Sequence, residues 1–136
     1  MTQEEKQLLL QDLCTRLPYG IILQVGIFDN GDIKYHNKKL DYQLLSLIEL
    51  DGGYYSNGLL CKYHQFTAKP YLRPMSSMTE KERKEYNEYL FYGASIGLMS
   101  NTESAYELID WLNAHHFDYR GLIERGLALE AHEGIY

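Results

Sequence analysis

The residues of this chain best suited to chemistry are two adjacent histidines, His115 and His116, which lie between Asp110 and Asp118. Imidazole and carboxylate groups are common zinc ligands. Adjacent residues of a helix point about 100° apart, so the two histidines cannot readily bind one metal ion. We therefore predict no metal site here. We expect one histidine to interact with the C-terminus of the preceding helix, where the helix dipole favours a cation.

An acidic, an aromatic and a basic residue follow in succession at Asp118, Tyr119 and Arg120. Such a cluster can form a recognition surface, but more often the aspartate caps, the tyrosine packs and the arginine pairs with a carboxylate. We predict the structural role. The predicted structural motif has seven members: Trp111, His115, His116, Phe117, Asp118, Tyr119 and Arg120.

A second candidate segment places Tyr71 between two cations, Lys69 and Arg73, and between two prolines. This arrangement can stack a base or hold a phosphate. It can also be a strut that joins a sheet to helices, which is the interpretation we favour. The 13 tyrosines of the chain suit binding surfaces, because tyrosine is rigid and amphipathic. The candidate binding residues are Tyr54, Tyr55, Lys62, Tyr63, His64, Lys69, Tyr71 and Arg73.

Several common local signatures of catalysis and cofactor binding are missing from the sequence. It has no H-E-x-x-H pair and no phosphate-binding loop. The segment 29–32 lacks the twelve-residue spacing of a calcium loop. Cys14 and Cys61 lie far apart and form no C-x-x-C, so we predict two buried thiols in a reducing compartment. We predict no catalytic residue, metal or cofactor, and we do not favour an enzyme.

Length and charge limit the class of protein. With 136 residues and 45% hydrophobic content, the chain can form one domain with a substantial core. Its net charge of −6 argues against a basic nucleic-acid surface. No apolar run approaches the ~20 residues of a membrane helix, and the polar N-terminus does not suit a signal peptide. We expect a soluble cytoplasmic protein, without a membrane contact.

Local signals in the first half predict a helix followed by a sheet. Thr2 and Glu5 have the spacing of a capping box, which predicts a helix over 3–16. Asn30-Gly31 between alternating segments predicts a tight hairpin. The predicted strands are 21–28, 33–35, 42–50, one or two within 54–66, and at most a short edge strand at 69–74. These short strands suggest a curved antiparallel sheet or a small SH3-like barrel.

The second half is expected to be helical. Thr79 and Glu82 predict a capped helix to about Leu90, and Ser100 predicts a helix from about Asn101. The segment 91–99 is compatible with helix or strand. We expect a short second helix over 118–126 and an extended tail after it. The fold class is therefore α+β: 1–74 hold the helix and sheet, 75–136 form a helical unit packed on them, and both belong to one compact domain.

Three segments resemble a family of small, uncharacterised proteins encoded by gut bacteria, their phages and mobile elements. They are Asp12–Gly20 without Thr15, the run Lys69–Thr79, and Asp110–Glu130 without Ala114, Glu124 and Arg125, which contains DWLN and HHFDYRGLI. The resemblance covers both ends of the chain and implies an accessory protein of mobile DNA. It implies no catalytic residue.

The leading hypothesis is a non-enzymatic protein-binding or adaptor module, either a monomer or a homodimer. Its partner would be a protein, and its contact surface the sheet with the loops around Tyr54 and Tyr63. The alternative is a nucleotide- or nucleic-acid-binding protein, which regulates a mobile element or sequesters a defence signal. That alternative depends on a barrel, on Lys62, Lys69, Tyr71 and Arg73, and on the resemblance to mobile-element proteins.

Overall fold

A computed structural model describes residues 2–29, 32–49, 63–64, 68–95 and 101–136 of the chain. It confirms the α+β class. The helices are α1 (Gln3–Arg16), α2 (Tyr42–Leu47), α3 (Glu80–Ser95) and α4 (Asn101–Ala114). The strands are β1 (Ile22–Asp29), β2 (Asp32–Lys39), β3 (Ile48–Glu49), β4 (Tyr63–His64), β5 (Ala68–Leu72) and β6 (Leu129–Glu130).

Helix α1 forms where its capping box predicts it. The Glu5 amide donates to Thr2 Oγ1 over 3.1 Å, and the Thr2 amide donates to Glu5 Oε2 over 2.8 Å. The helix buries Leu9 and Leu13, four residues apart, against the sheet. A 3-10 turn that contains Pro18 follows α1 and leads the chain into β1.

The main sheet has the strand order β2-β1-β5-β6. Strands β1 and β2 pair antiparallel over their full length, from Ile22↔Lys39 to Asp29↔Asp32, which confirms the predicted hairpin. β5 is antiparallel to β1, but β6 is parallel to β5. The sheet of the described residues is therefore mixed and open, not all-antiparallel and not a closed barrel. The parallel pair arises because α3 and α4 cross over between β5 and β6.

The prediction that 69–74 is an edge strand is wrong, because β5 lies between β1 and β6. Its first half pairs with β1 up to Leu23↔Pro70, and its second half pairs with β6 from Tyr71↔Leu129. The Leu72 carbonyl accepts from the Ala131 amide over 2.7 Å. Alternate residues of a strand direct their backbone groups to the same edge, so Pro70 faces the side of β6. Since β6 pairs only from Tyr71 onward, the missing amide of proline removes no ladder bond.

The predicted third strand over 42–50 is also wrong in its first part, which forms helix α2. Asp41 Oδ1 accepts from the Leu44 amide over 2.7 Å, as an N-terminal cap does. Leu40 and Leu44, four residues apart, are both buried, which is a helical spacing. Within the described part of this range, 42–49, the strand is Ile48–Glu49, which pairs parallel with β4. β4 (Tyr63–His64) lies in the range 54–66, where one or two strands were predicted. The other residues of that range lie outside the described residues.

The second half begins with α3 at its predicted capping box, where the Glu82 amide donates to Thr79 Oγ1 over 3.2 Å. The helix continues to Ser95, past the predicted end at Leu90. The segment 91–99, which the sequence left open between helix and strand, is therefore helical from 91 to 95. Helix α4 begins at Asn101 as predicted. Trp111 of α4 lies between Tyr86 and Tyr89 of α3, with ring centroids 6.2 and 6.1 Å away.

The predicted helix over 118–126 does not form; the segment is a series of turns. Asp118 caps it as expected, since its carboxylate oxygens accept from the Leu122 and Ile123 amides at 2.8 and 2.9 Å. Gly121 has φ 73°, a left-handed conformation that interrupts a helix. Leu127 and Ala128 then pack into the core formed by α1 and the sheet, so this core uses residues from both ends of the chain.

Candidate functional site

A buried polar cluster joins α1 to the segment after α4. Asp12 and Arg16 are fully buried, and Asp12 Oδ2 lies 2.8 Å from Arg16 Nε. Arg16 Nη2 donates to the Phe117 carbonyl over 2.7 Å, and Arg120 Nε lies 3.2 Å from Asp12 Oδ1. Burial raises the pKa of the Asp12 carboxyl, while Arg16 and Arg120 act in the opposite direction. The two arginines thus compensate a buried carboxylate and attach the C-terminal segment to α1.

Tyr119 completes this cluster. The guanidinium carbons of Arg16 and Arg120 lie 5.0 and 5.1 Å from its ring centroid, which is cation–π distance. Its hydroxyl donates to Oδ1 of the buried Asn113 over 2.9 Å. Phe117 beside it is fully buried. These contacts, which join Tyr119 to both arginines and to Asn113, are those expected of a structural motif.

The two histidines end helix α4 and have separate partners. The Phe117 amide donates to the Leu112 carbonyl and the His116 amide to the Asn113 carbonyl, both over 3.0 Å, which is the Schellman pattern. His116 occupies the left-handed position with φ 63°. His115 Nδ1 lies 2.8 Å from the Trp111 carbonyl oxygen, so it interacts with the helix C-terminus as predicted. Among the described residues, no group of three or more His, Cys, Asp and Glu side chains is arranged to hold a metal ion.

Sequence reasoning missed Tyr136, whose side chain links His116 to the sheet. Its ring stacks on the His116 ring with centroids 3.7 Å apart. Its hydroxyl accepts from the Ile22 amide over 3.0 Å and donates to the Tyr71 carbonyl over 2.7 Å. The hydroxyl therefore bridges β1 and β5 just beyond their last backbone pair. Burial lowers the pKa of His116 to about 4, with further contributions from Arg16 and Arg73, and burial raises the pKa of Tyr136 to about 12.

The strut interpretation of the segment around Tyr71 agrees with its contacts. Tyr71 is 6% exposed, and its hydroxyl donates to Asn37 Oδ1 over 3.0 Å. Both terminal nitrogens of Arg73 bind the Glu82 carboxylate, at 2.8 and 2.7 Å, and this lowers the pKa of Glu82 to about 2. The Arg73 guanidinium also lies 4.3 Å from the Phe117 ring centroid. Two of the side chains that the nucleotide hypothesis needed are thus engaged inside the protein, and Lys69 is half-buried.

The remaining candidate residues are only partly described. The backbone of Tyr63 and His64 forms β4. Tyr54, Tyr55 and Lys62 lie outside the described residues, as does Cys61. The prediction of a buried thiol is wrong for Cys14, which is exposed. It follows Leu13 in α1, and adjacent residues of an amphipathic helix point in different directions.

The outer edge of the sheet is an open surface among the described residues. Strand β2 is terminal in the strand order, and seven of its eight side chains are exposed, Tyr35 by 56%. The Leu40 amide donates to the Ile21 carbonyl over 2.8 Å. Along an antiparallel strand, every second residue directs its amide and carbonyl to the same neighbour, so this bond shows which residues of β2 bind β1. Even-numbered residues of β2 therefore direct their backbone groups to β1. Ile33, Tyr35, Asn37 and Lys39 direct theirs outward.

A second open surface is a groove of about 400 Å³ between α3 and α4. It is lined by Glu85, Glu88, Tyr89 and Glu107. The Trp111 indole donates to Glu85 Oε2 over 3.0 Å, so one of these carboxylates already has a partner. Phe91 on the outer side of α3 is 74% exposed. The groove is acidic, whereas β2 carries three lysines.

Comparison with known proteins does not relate the chain to a family: no family model, no curated protein and no solved structure matches it. In the part of the chain that the structure describes, no helix has the length and apolar character to cross a membrane. Geometry and charge are therefore the grounds on which a function can be inferred.

Proposed function

We propose that the protein is a non-enzymatic binding module that takes an extended segment of a partner protein along β2. The observation that carries this proposal is the open edge of the sheet. Strand β2 is eight residues long, terminal in the sheet that the described residues form, and exposed at all positions except Ile33, which is half-buried. An added strand would bind the outward amides and carbonyls of this edge.

The length of β2 suits this mode of binding. Most strands of folded proteins have about five or six residues, and an exposed edge of eight is commonly shortened, bulged or covered. β2 pairs with β1 at every residue from Asp32 to Lys39, so its backbone is held in an extended shape before a partner arrives. A pre-ordered strand lowers the conformational entropy lost on binding.

The contrast with the ion-paired residues of α1, of the segment after β5 and of the C-terminal turn supports a binding role over catalysis. Asp12, Arg16, Arg73 and Arg120 each have an ionic partner inside the protein. A catalytic acid, base or nucleophile must be able to reach its substrate. These groups instead hold the chain around the sheet and leave β2 as the accessible element.

The experiment compares capture of partners from a lysate of the native host by the wild-type protein and by two variants at one position. Tyr35→Pro removes an outward amide without removing a bond to β1, and an edge strand tolerates proline there. Tyr35→Ala is the matched control, since it also lacks the phenol but keeps the amide. Circular dichroism and urea unfolding verify that both variants fold.

We expect a partner to be recovered with wild type and with Tyr35→Ala, and lost with Tyr35→Pro. A partner that Tyr35→Pro retains fully would place the contact surface elsewhere. Recovery of no specific partner by the wild-type protein would overturn the binding proposal itself.

A further inference from the structure

We infer that the side chain of Tyr136 occupies a binding site for a phenolic ring, and that a phenolic ring from outside the chain can bind there in its place. The site is formed by the His116 ring, the Ile22 amide and the Tyr71 carbonyl, and we call it the phenol site. None of these groups belongs to β2, so the inference does not depend on the proposed docking edge. Its basis is the position of the Tyr136 hydroxyl in the sheet.

The hydroxyl lies where β1 and β5 would form their next backbone pair. The last pair is Leu23↔Pro70, so in a continued ladder Ile22 would lie opposite Tyr71. Because Pro70 faces β6, the backbone groups of Tyr71 face β1, and a regular ladder would join the Ile22 amide directly to the Tyr71 carbonyl. Instead, the amide donates to the Tyr136 hydroxyl over 3.0 Å, and the hydroxyl donates to the carbonyl over 2.7 Å. The two strands thus diverge enough to admit one oxygen atom between them.

The two backbone groups of the phenol site select a hydroxyl. One is a donor and the other an acceptor, and a hydroxyl oxygen can accept from the first while its proton is donated to the second. A carboxylate cannot donate, and an ammonium group cannot accept. Burial raises the pKa of Tyr136 to about 12, so at neutral pH the phenol retains the proton that it donates.

The His116 ring supplies the flat wall of the phenol site. The rings of His116 and Tyr136 are nearly parallel, at 13°, with their centroids 3.7 Å apart. Burial lowers the pKa of His116 to about 4, with further contributions from Arg16, Arg73 and His115, so the imidazole is uncharged at neutral pH. An uncharged ring beside one donor and one acceptor suits a neutral, planar ligand that carries a hydroxyl.

Tyr136 reaches this site on a lightly held segment. Residues 131–136 belong to neither of the two hydrophobic clusters that the described residues form. The segment leaves β6 through a bond of 2.7 Å from the Ala131 amide to the Leu72 carbonyl, and its next three residues are exposed. Tyr136 itself is 45% exposed, so its ring lies at the surface. A ring attached in this way acts as a tethered ligand, which a competing ring can displace without opening the core.

The test uses 4-methylphenol, which is the tyrosine side chain, and toluene as the matched ligand without a hydroxyl. Each is titrated into the full chain carrying Tyr136→Ala, while NMR follows the chemical shift and the exchange rate of the Ile22 amide. We expect 4-methylphenol to slow this exchange and to bind at least about tenfold more tightly than toluene, which leaves both backbone groups without a partner. Wild type should bind 4-methylphenol at least about tenfold more weakly than the variant, because its own ring competes.

A third ligand distinguishes two sources of the ring. N-acetyltyrosinamide carries the peptide groups that a tyrosine of a partner protein would bring. Binding of both phenols at Ile22 supports a tyrosine side chain as the ligand. Binding of 4-methylphenol alone would exclude a partner tyrosine and identify a free phenol.

Two further variants serve as controls. Gly134→Val keeps Tyr136 but strains the backbone at φ 90°, so it should loosen the segment and give an affinity between those of wild type and Tyr136→Ala. Tyr106→Ala removes an exposed ring of α4 and should leave the wild-type affinity unchanged. Circular dichroism and urea unfolding verify that each variant folds. Gly134→Val provides the test if Tyr136→Ala does not fold.

Three results would overturn the inference. Equal binding of 4-methylphenol and toluene would show that the hydroxyl is not recognised. Equal affinity of wild type and Tyr136→Ala for 4-methylphenol would place the ligand elsewhere. Exchange of the Ile22 amide in ligand-free Tyr136→Ala as slow as in wild type would show that β1 and β5 bond directly and leave no site.

Discussion

Two regions of this protein combine aromatic and basic side chains within a few residues, yet the fold uses them in opposite ways. In the turn from His115 to Arg120, the side chains contact one another, α1 and the sheet. In β2, lysines and a tyrosine face solvent. Composition does not distinguish the two regions. What distinguishes them is the number of packed elements. The turn lies among α1, α4 and β5, whereas the described strands include a neighbour of β2 on one side only.

Among the substitutions considered, loss of the Arg16 guanidinium should lower the free energy of unfolding most, because Arg16 joins α1 to the turn from His115 to Arg120. Arg16→Met leaves the Asp12 carboxylate buried with only Arg120 beside it, and an uncompensated buried charge costs about 3–5 kcal/mol. Urea unfolding measures this change in the free energy of unfolding. Arg125→Met, at an exposed position, is the control and should change it by less than about 0.5 kcal/mol. A similar small change for Arg16→Met would contradict a cooperative buried cluster.

A decrease in pH should destabilise the same region, because the unfolded chain takes up a proton at His116 more readily than the folded protein does. The pKa of His116 is lowered from 6.5 to about 4 in the folded protein, so below pH 6.5 the unfolded chain binds the proton more readily. The free energy of unfolding should therefore fall as the pH decreases from about 6.5 to 4, by up to about 3 kcal/mol. Above pH 6.5 this contribution is fully present.

His116→Asn isolates that contribution, because asparagine tolerates the left-handed conformation and does not titrate. The measurement is the pH dependence of urea unfolding for the two proteins. The Glu82 carboxyl, with its pKa lowered to about 2 by Arg73, loses its contribution only as the pH falls from 4.5 toward 2. The two pH ranges are thus distinct, and an unchanged slope between pH 6.5 and 4 in the variant would rule out His116 as its source.

Removal of the Tyr136 hydroxyl should have a smaller effect. Tyr136→Phe keeps the ring on His116 but leaves the Ile22 amide and the Tyr71 carbonyl without this bridge, at a cost of about 1–3 kcal/mol. Amide exchange at Ile22 should accelerate, which NMR detects. Tyr106→Phe, whose side chain is 69% exposed, should change neither quantity. Unchanged exchange at Ile22 would mean that the bridge does not protect the β1–β5 junction.

Substitution on the open edge should change stability least. Tyr35→Ala removes a ring that is 56% exposed, so the free energy of unfolding should change by no more than about 0.5 kcal/mol. Thermal unfolding measures it against wild type. A loss above about 2 kcal/mol would show that β2 is covered in solution, and the contrast between the two regions would fail.

Local signals in the sequence predicted the elements whose causes are local. The capping residues of α1 and α3 and the Asn-Gly hairpin each act within four residues, so their positions were predicted closely. Helix α2 had such a signal as well, in Asp41 followed by Leu44, but the apolar run 42–50 was interpreted as a strand. For 118–126 the aspartate cap was identified, while the left-handed Gly121 that prevents a helix was not.

The candidate site was predicted less well, because burial depends on contacts between distant residues. Tyr71 and Arg73 had the residue types of a binding segment. Their availability was decided by Asn37, Glu82 and Tyr136, which lie up to 65 residues away. Whether a strand lies at the edge or in the centre of the sheet also depends on which distant segments pair with it.

By itself, the sequence determined the class of the fold, the starts of three helices, the long hairpin and the acidic net charge. Each of these follows from neighbouring residues or from composition. Only the tertiary structure decided that β5 is central and β2 terminal, since β6 comes from more than 55 residues further along the chain. It also decided which charged residues are buried as partners and which remain on an open edge, because burial belongs to packed elements and not to segments of sequence.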